Sequence, residues 1–72
     1  MELMELANEL RRAYMEAQEG EKVTMIHLFG IRYAQELQRH SIRELAHVAG
    51  LNKSYIAEIG KGVRLARYVD IR

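Results

Sequence analysis

Residues 42–59 read IRELAHVAGLNKSYIAEI, two short apolar clusters on either side of Gly50. A single helix rarely carries glycine at its centre, because glycine gives up the most backbone freedom on ordering. A strand would instead alternate at every second residue. Two short helices joined by a tight turn accommodate both facts. A helix-turn-helix is the demanding version, since its helices cross steeply and share one small core. Counted from Ile42 as position one, that motif wants apolar residues at positions four, eight, ten, fifteen and eighteen. It wants a small residue at five, where the helices touch, and glycine at nine for the turn. Leu45, Ala49, Leu51, Ile56 and Ile59 fill the first set, with Ala46 and Gly50 at the two special places. All seven agree.

The flanking residues fix where the motif begins and what supports it. The run SIRE at 41–44 is a capping box: Ser41 accepts from the Glu44 backbone N–H, and the Glu44 carboxylate reaches back to Ser41. A helix is therefore expected over 42–49, ended by Gly50. Asn52 is a good N-cap for the next helix, expected over 53–60 and closed by Gly60 and Gly62. Upstream, Leu3, Leu6, Leu10, Ala13, Tyr14 and Ala17 repeat at three and four, drawing one stripe along a helix over 2–19 that Gly20 terminates. Ile26, Phe29, Tyr33, Ala34 and Leu37 mark a further helix over 24–39. Gly30 inside it costs about 1 kcal/mol against alanine, and a close helix crossing is its expected reason. The end, VRLARYVDIR, suits either a strand or a short helix. A helical turn followed by an extended end is the preferred reading. The fold expected is all-α: four main helices in one compact domain over 1–72, with a short tail.

The stretch IRELAHVAGLNKSYIAEIGKG resembles the helix-turn-helix of bacterial and phage regulators of the Cro/repressor type, whose second helix often reads like SYIAEI followed by glycine. With IRYAQELQR as support helix, the resemblance covers about residues 31–62. The segment GEKVTMIHLFGIRYAQEL is also similar to small bacterial helix-turn-helix-like domains of uncharacterised function. The chain departs from the repressor pattern twice. Ile42 stands where repressors usually place a phosphate-clamping glutamine, and only ten residues follow Gly62, where repressors add two helices. The N-terminal helix is the expected substitute for that missing packing surface.

DNA binding by such a motif assigns roles by geometry, with the second helix in the major groove and its first residues against base edges. Asn52, Ser54, Tyr55, Ala57 and Glu58 are the base-contact candidates: amide and hydroxyl for hydrogen bonds, a methyl for thymine, a carboxylate for the cytosine amino group. Tyr55 has a second reading, as an aromatic covering the turn at the edge of the core. Arg43, Lys53, Lys61, Arg64 and Arg67 are the phosphate-contact candidates, which position the protein without reading sequence.

Charge supports this assignment. Residues 1–36 carry four basic and seven acidic side chains, a net −3, and residues 37–72 carry seven and three, a net +4. The near-neutral total hides a chain whose basic half contains the motif. Double-stranded DNA is thus the expected partner, with a transcriptional regulator or DNA-targeting accessory protein as the expected role. A homodimer is expected too, because one recognition helix makes few base contacts and two half-sites about one helical turn apart make more. The stripe on the first helix, or the tail, would form its contact. The alternative is a helical protein-interaction module built on the same motif.

Other chemistries find little support. No cysteine is present, which excludes disulfides and thiolate metal sites. His27, His40 and His47 have no companions spaced for a tetrahedral metal set. No nucleophile–base pair, phosphate loop or paired-carboxylate spacing points to an enzyme, and no cofactor is implied. The start, MELMELANEL, carries glutamates where a secretory signal carries lysine or arginine, and the longest apolar run, MIHLFGI, is too short for a bilayer. A soluble, cytoplasmic protein without membrane contact is expected.

Overall fold

The first helix, α1 (Leu3–Glu16), opens on a capping box that joins Glu2 and Glu5, the Glu2 N–H donating to Glu5 Oε1 at 2.8 Å. In this computed structural model, which describes residues 1–71, four further helices follow: α2 (Lys22–Arg32), α3 (Ala34–Leu37), α4 (Ile42–Ala49) and α5 (Tyr55–Leu65). No strand occurs among the described residues, so the fold is all-α with four helices longer than two turns. Leu6 and Leu10 of α1, Ile26 of α2, Leu45 of α4 and Ile59 of α5 meet in one core and are fully buried. The α1 stripe is consumed there.

Helix ends differ from the sequence expectation where a distant residue supplies the cap. α1 was expected to reach Glu19, yet it stops at Glu16, with Ala17 already extended at ψ 138°. The Tyr14 carbonyl, which a longer helix would offer to the Gln18 N–H, instead accepts from Lys22 Nζ at 2.8 Å. The same ammonium lies 4.1 Å from the Tyr14 ring centroid. Gly20, at φ +83°, shapes the turn into α2 rather than the helix end itself. The helix expected over 24–39 starts at Lys22 and breaks at Tyr33, where φ −108° and ψ 23° leave helical geometry. α3 resumes after the break and delivers Leu37 into the core.

α4 matches its expected bounds because both of its ends carry local chemistry. The Ser41 hydroxyl accepts from the Glu44 N–H at 3.1 Å, the serine half of the expected box. At the other end Gly50 takes φ +77°, its N–H bonds to the His47 carbonyl at 3.0 Å, and the Leu51 N–H bonds to the Ala46 carbonyl at 2.9 Å. This pair of bonds is a Schellman closure. Arg11 Nη1 of α1 adds a bond to the Ala49 carbonyl at 2.9 Å.

α5 departs most from expectation. It begins at Tyr55, after a tight turn in which Asn52 Oδ1 accepts from the Ser54 N–H at 2.9 Å, so Asn52 caps the turn rather than the helix. It then runs through Gly60 and Gly62 to Leu65, and a helical turn continues to Tyr68 before residues without regular structure. Arg72, the last residue of the tail, lies outside the described residues. The reason Gly62 sits inside the helix is its opposite number on α2. A Cβ built on Gly30 would lie 2.6 Å from the Ile59 carbonyl oxygen and 2.9 Å from Gly62 Cα, and one on Gly62 would lie 2.9 Å from Gly30 Cα. The two helices cross glycine on glycine, which makes α2 and α5 the most extensively packed pair in the molecule. No helix among the described residues is long and apolar enough to cross a membrane.

Candidate nucleic-acid interface

The motif positions behave largely as a helix-turn-helix requires. Leu45, Ala46, Ala49 and Ile59 are buried, Leu51 packs against the core, and Gly50 has the left-handed backbone. Ile56 is half-buried and, with Leu51, lines a groove of about 410 Å³ between α4 and the start of α5. Arg43, His47, Asn52 and Lys53 line the same groove, which brings two of the expected phosphate contacts together across the turn.

The outward face of α5 carries Ala57, Lys61 and Arg64, spaced at four and three and all exposed. Lys61 and Arg64 share a second groove with Leu65, Tyr68 and His27. Arg67, in the turn after α5, is exposed but lines neither groove. All five expected phosphate contacts are therefore exposed: Arg43 on α4, Lys53 in the motif turn, Lys61 and Arg64 on α5, and Arg67 beyond its end. Glu44 is the nearest exposed carboxylate on α4 itself.

The expected base contacts divide. Asn52, Ser54 and Ala57 are exposed at the turn and the first turn of α5. With its Oδ1 accepting from Ser54, Asn52 keeps both amide N–H donors and one further acceptor site to offer a base. Tyr55 lies elsewhere: its ring meets Tyr14 of α1 edge-on, 5.4 Å between centroids at 79°, and it packs against the core. Burial, and then the neighbouring Tyr14, raise its hydroxyl above the ordinary value of 10.0. This is the core-edge placement.

Glu58 also turns inward. Its Oε1 lies 2.7 Å from His27 Nε2 on α2, its Oε2 lies 3.4 Å from Lys61 Nζ, and only 23% of its side chain is exposed. The His27 hydrogen bond chiefly, with help from Lys61 and against the opposing effect of burial, holds its carboxyl below the ordinary value of 4.5. Sequence reasoning missed His27 in this role, because the two residues are 31 apart. The usable signal was the glycine pair. His27 stands one turn before Gly30 and Glu58 one turn before Gly62, so a glycine crossing sets them face to face.

The other histidines are dispersed. His40 Nε2 lies 3.1 Å from the Met1 carbonyl, and His47 is exposed beside the motif turn. No cluster of three metal-ligating side chains forms among the described residues.

No curated protein and no solved structure matches the chain. A family model described as an HTH-like domain matches residues 2–72. That match extends to the helix-turn-helix domain and not to the Cro/repressor type in particular. From the seven-position pattern, the Schellman-closed turn and a family match over nearly its whole length, the chain belongs to the HTH-like domain family.

Proposed function

We propose that this domain binds double-stranded DNA through the face formed by α4, the turn and α5, as a transcriptional regulator or a DNA-targeting accessory protein. One observation carries the reading: Arg43 on α4, Lys53 in the turn, and Lys61 and Arg64 on α5 are all exposed, with Arg67 exposed just beyond, while the carboxylate of α5 folds back against α2. Cations so placed neutralise phosphates and set the register of the recognition helix on the duplex. Asn52, Ser54 and Ala57 then meet base edges, with Lys53 and Lys61 beside them. Tyr55 buttresses the helix from behind.

The reading is tested by a mobility shift with mixed-sequence duplex DNA at low salt. Wild type is expected to shift the duplex at micromolar protein, and Lys53→Ala and Lys61→Ala are each expected to bind several-fold more weakly on every sequence. No shift by wild-type protein whose helicity is intact by circular dichroism would sink the DNA reading.

A second reading has its own observation. Leu65, Tyr68 and Val69 at the end of α5 are 42%, 80% and 46% exposed, an apolar group that favours a protein contact there. We place the homodimer contact at this end, since the α1 stripe is spent on the core. A domain that binds only protein would use the same surface, and its association would be insensitive to salt.

A further inference from the structure

α5 carries a single carboxylate, Glu58, flanked in sequence by Ala57 and followed three residues on by Lys61. On a helix that faces phosphates, a free carboxylate at this position is repelled at close range. The structure deals with it by a contact from a different helix. Glu58 Oε1 meets His27 Nε2 at 2.7 Å, and Glu58 Oε2 meets Lys61 Nζ at 3.4 Å. Its two oxygens are thus occupied in two directions, one toward α2 and one toward the outer face of α5. The contact depends on the Gly30–Gly62 crossing, which brings the backbones close enough for short side chains to span the gap.

Resting on the DNA-binding reading above, we propose that His27 is a positioning residue for DNA binding: it holds the Glu58 carboxylate against α2, away from the phosphates. His27 touches no DNA in this arrangement. Its effect passes through Glu58 alone, and that sets it apart from a residue that merely fills space between α2 and α5.

A double-mutant cycle in DNA affinity separates the two roles. His27→Ala releases the carboxylate and is expected to weaken binding about three- to fivefold at low salt. Glu58→Gln is expected to bind at least as tightly as wild type. In the Glu58→Gln background the His27→Ala change is expected to have no further effect, because the charge it restrained is gone. His27→Gln, which keeps an N–H donor at the reach of Nε2, is expected to restore wild-type affinity. Where His27→Ala is too unstable to assay, His27→Asn, polar but too short to reach Glu58, takes its place in the cycle. An equal loss from His27→Ala in both backgrounds overturns the proposal in favour of simple packing. So does an unchanged affinity of His27→Ala when wild type binds. Absence of binding by wild type overturns the DNA reading and this inference with it, so the two failures are distinguishable.

Discussion

Gly60 and Gly62 are two residues apart on one helix and have opposite reasons to be there. A Cβ on Gly62 would run into the α2 backbone around His27 and Gly30, and backbone cannot step aside as a side chain can. A Cβ on Gly60 would find its nearest neighbour, the flexible Arg64 side chain, at 3.7 Å. Gly62→Ala is therefore expected to destabilise by about 2 kcal/mol or more through overpacking. Gly60→Ala is expected to stabilise by about 0.5–1 kcal/mol through helix propensity. Urea melts of the two variants check this, and a Gly62→Ala variant as stable as wild type would contradict the crossing. The sequence pattern gave Gly30 its correct reason, a close helix approach. It misread Gly62 as a stop because the partner glycine, which turns a weak helix residue into a contact, is 32 positions away. The sequence pattern likewise missed the intramolecular partners of Tyr55 and Glu58, because Tyr14 and His27 lie on other helices.

The elements that were legible are those whose ends are fixed by neighbours in the chain. α4 was bounded at Ile42 and Ala49 because Ser41 caps one end and Gly50 closes the other, both within a few residues. α1 was overrun by three residues because the Tyr14 carbonyl near its end is satisfied by Lys22, from the next helix. The break at Tyr33 has no glycine or proline to announce it. The α2–α5 pair is also where pH enters. Glu58 faces His27 from α2 and Lys61 from its own helix, and its carboxyl is held below the ordinary 4.5 when folded. A depressed folded value favours the native state above the unfolded value and loses that contribution as pH falls through the folded one. The melting temperature of wild type is thus expected to drop below about pH 4.5 more steeply than that of Glu58→Gln. Parallel profiles for the two would mean that the His27–Glu58 contact contributes nothing to folding.

Over the whole molecule, the charge is divided along the chain, −3 over residues 1–36 and +4 over residues 37–72. Most of the acidic side chains of the N-terminal half lie on α1 and the approach to α2, whereas the C-terminal half exposes Arg43, Lys53 and Lys61 on the motif and its edge. The DNA reading uses that contrast to orient the molecule on a polyanion. If the proposed dimer uses the exposed Leu65, Tyr68 and Val69, Tyr68→Glu is expected to leave a monomer in sedimentation at concentrations where wild type associates. A wild type that stays monomeric at high micromolar concentration would remove the dimer. Salt dependence of duplex binding tests the central claim most directly, because it counts phosphates rather than noting an interaction. With Arg43, Lys53, Lys61, Arg64 and Arg67 engaged, the logarithm of affinity is expected to fall with the logarithm of salt at a slope of about −4 to −5 per protomer. Lys61→Ala is expected to reduce that slope by about one. A slope near zero, or one that Lys61→Ala leaves unchanged, would contradict the account.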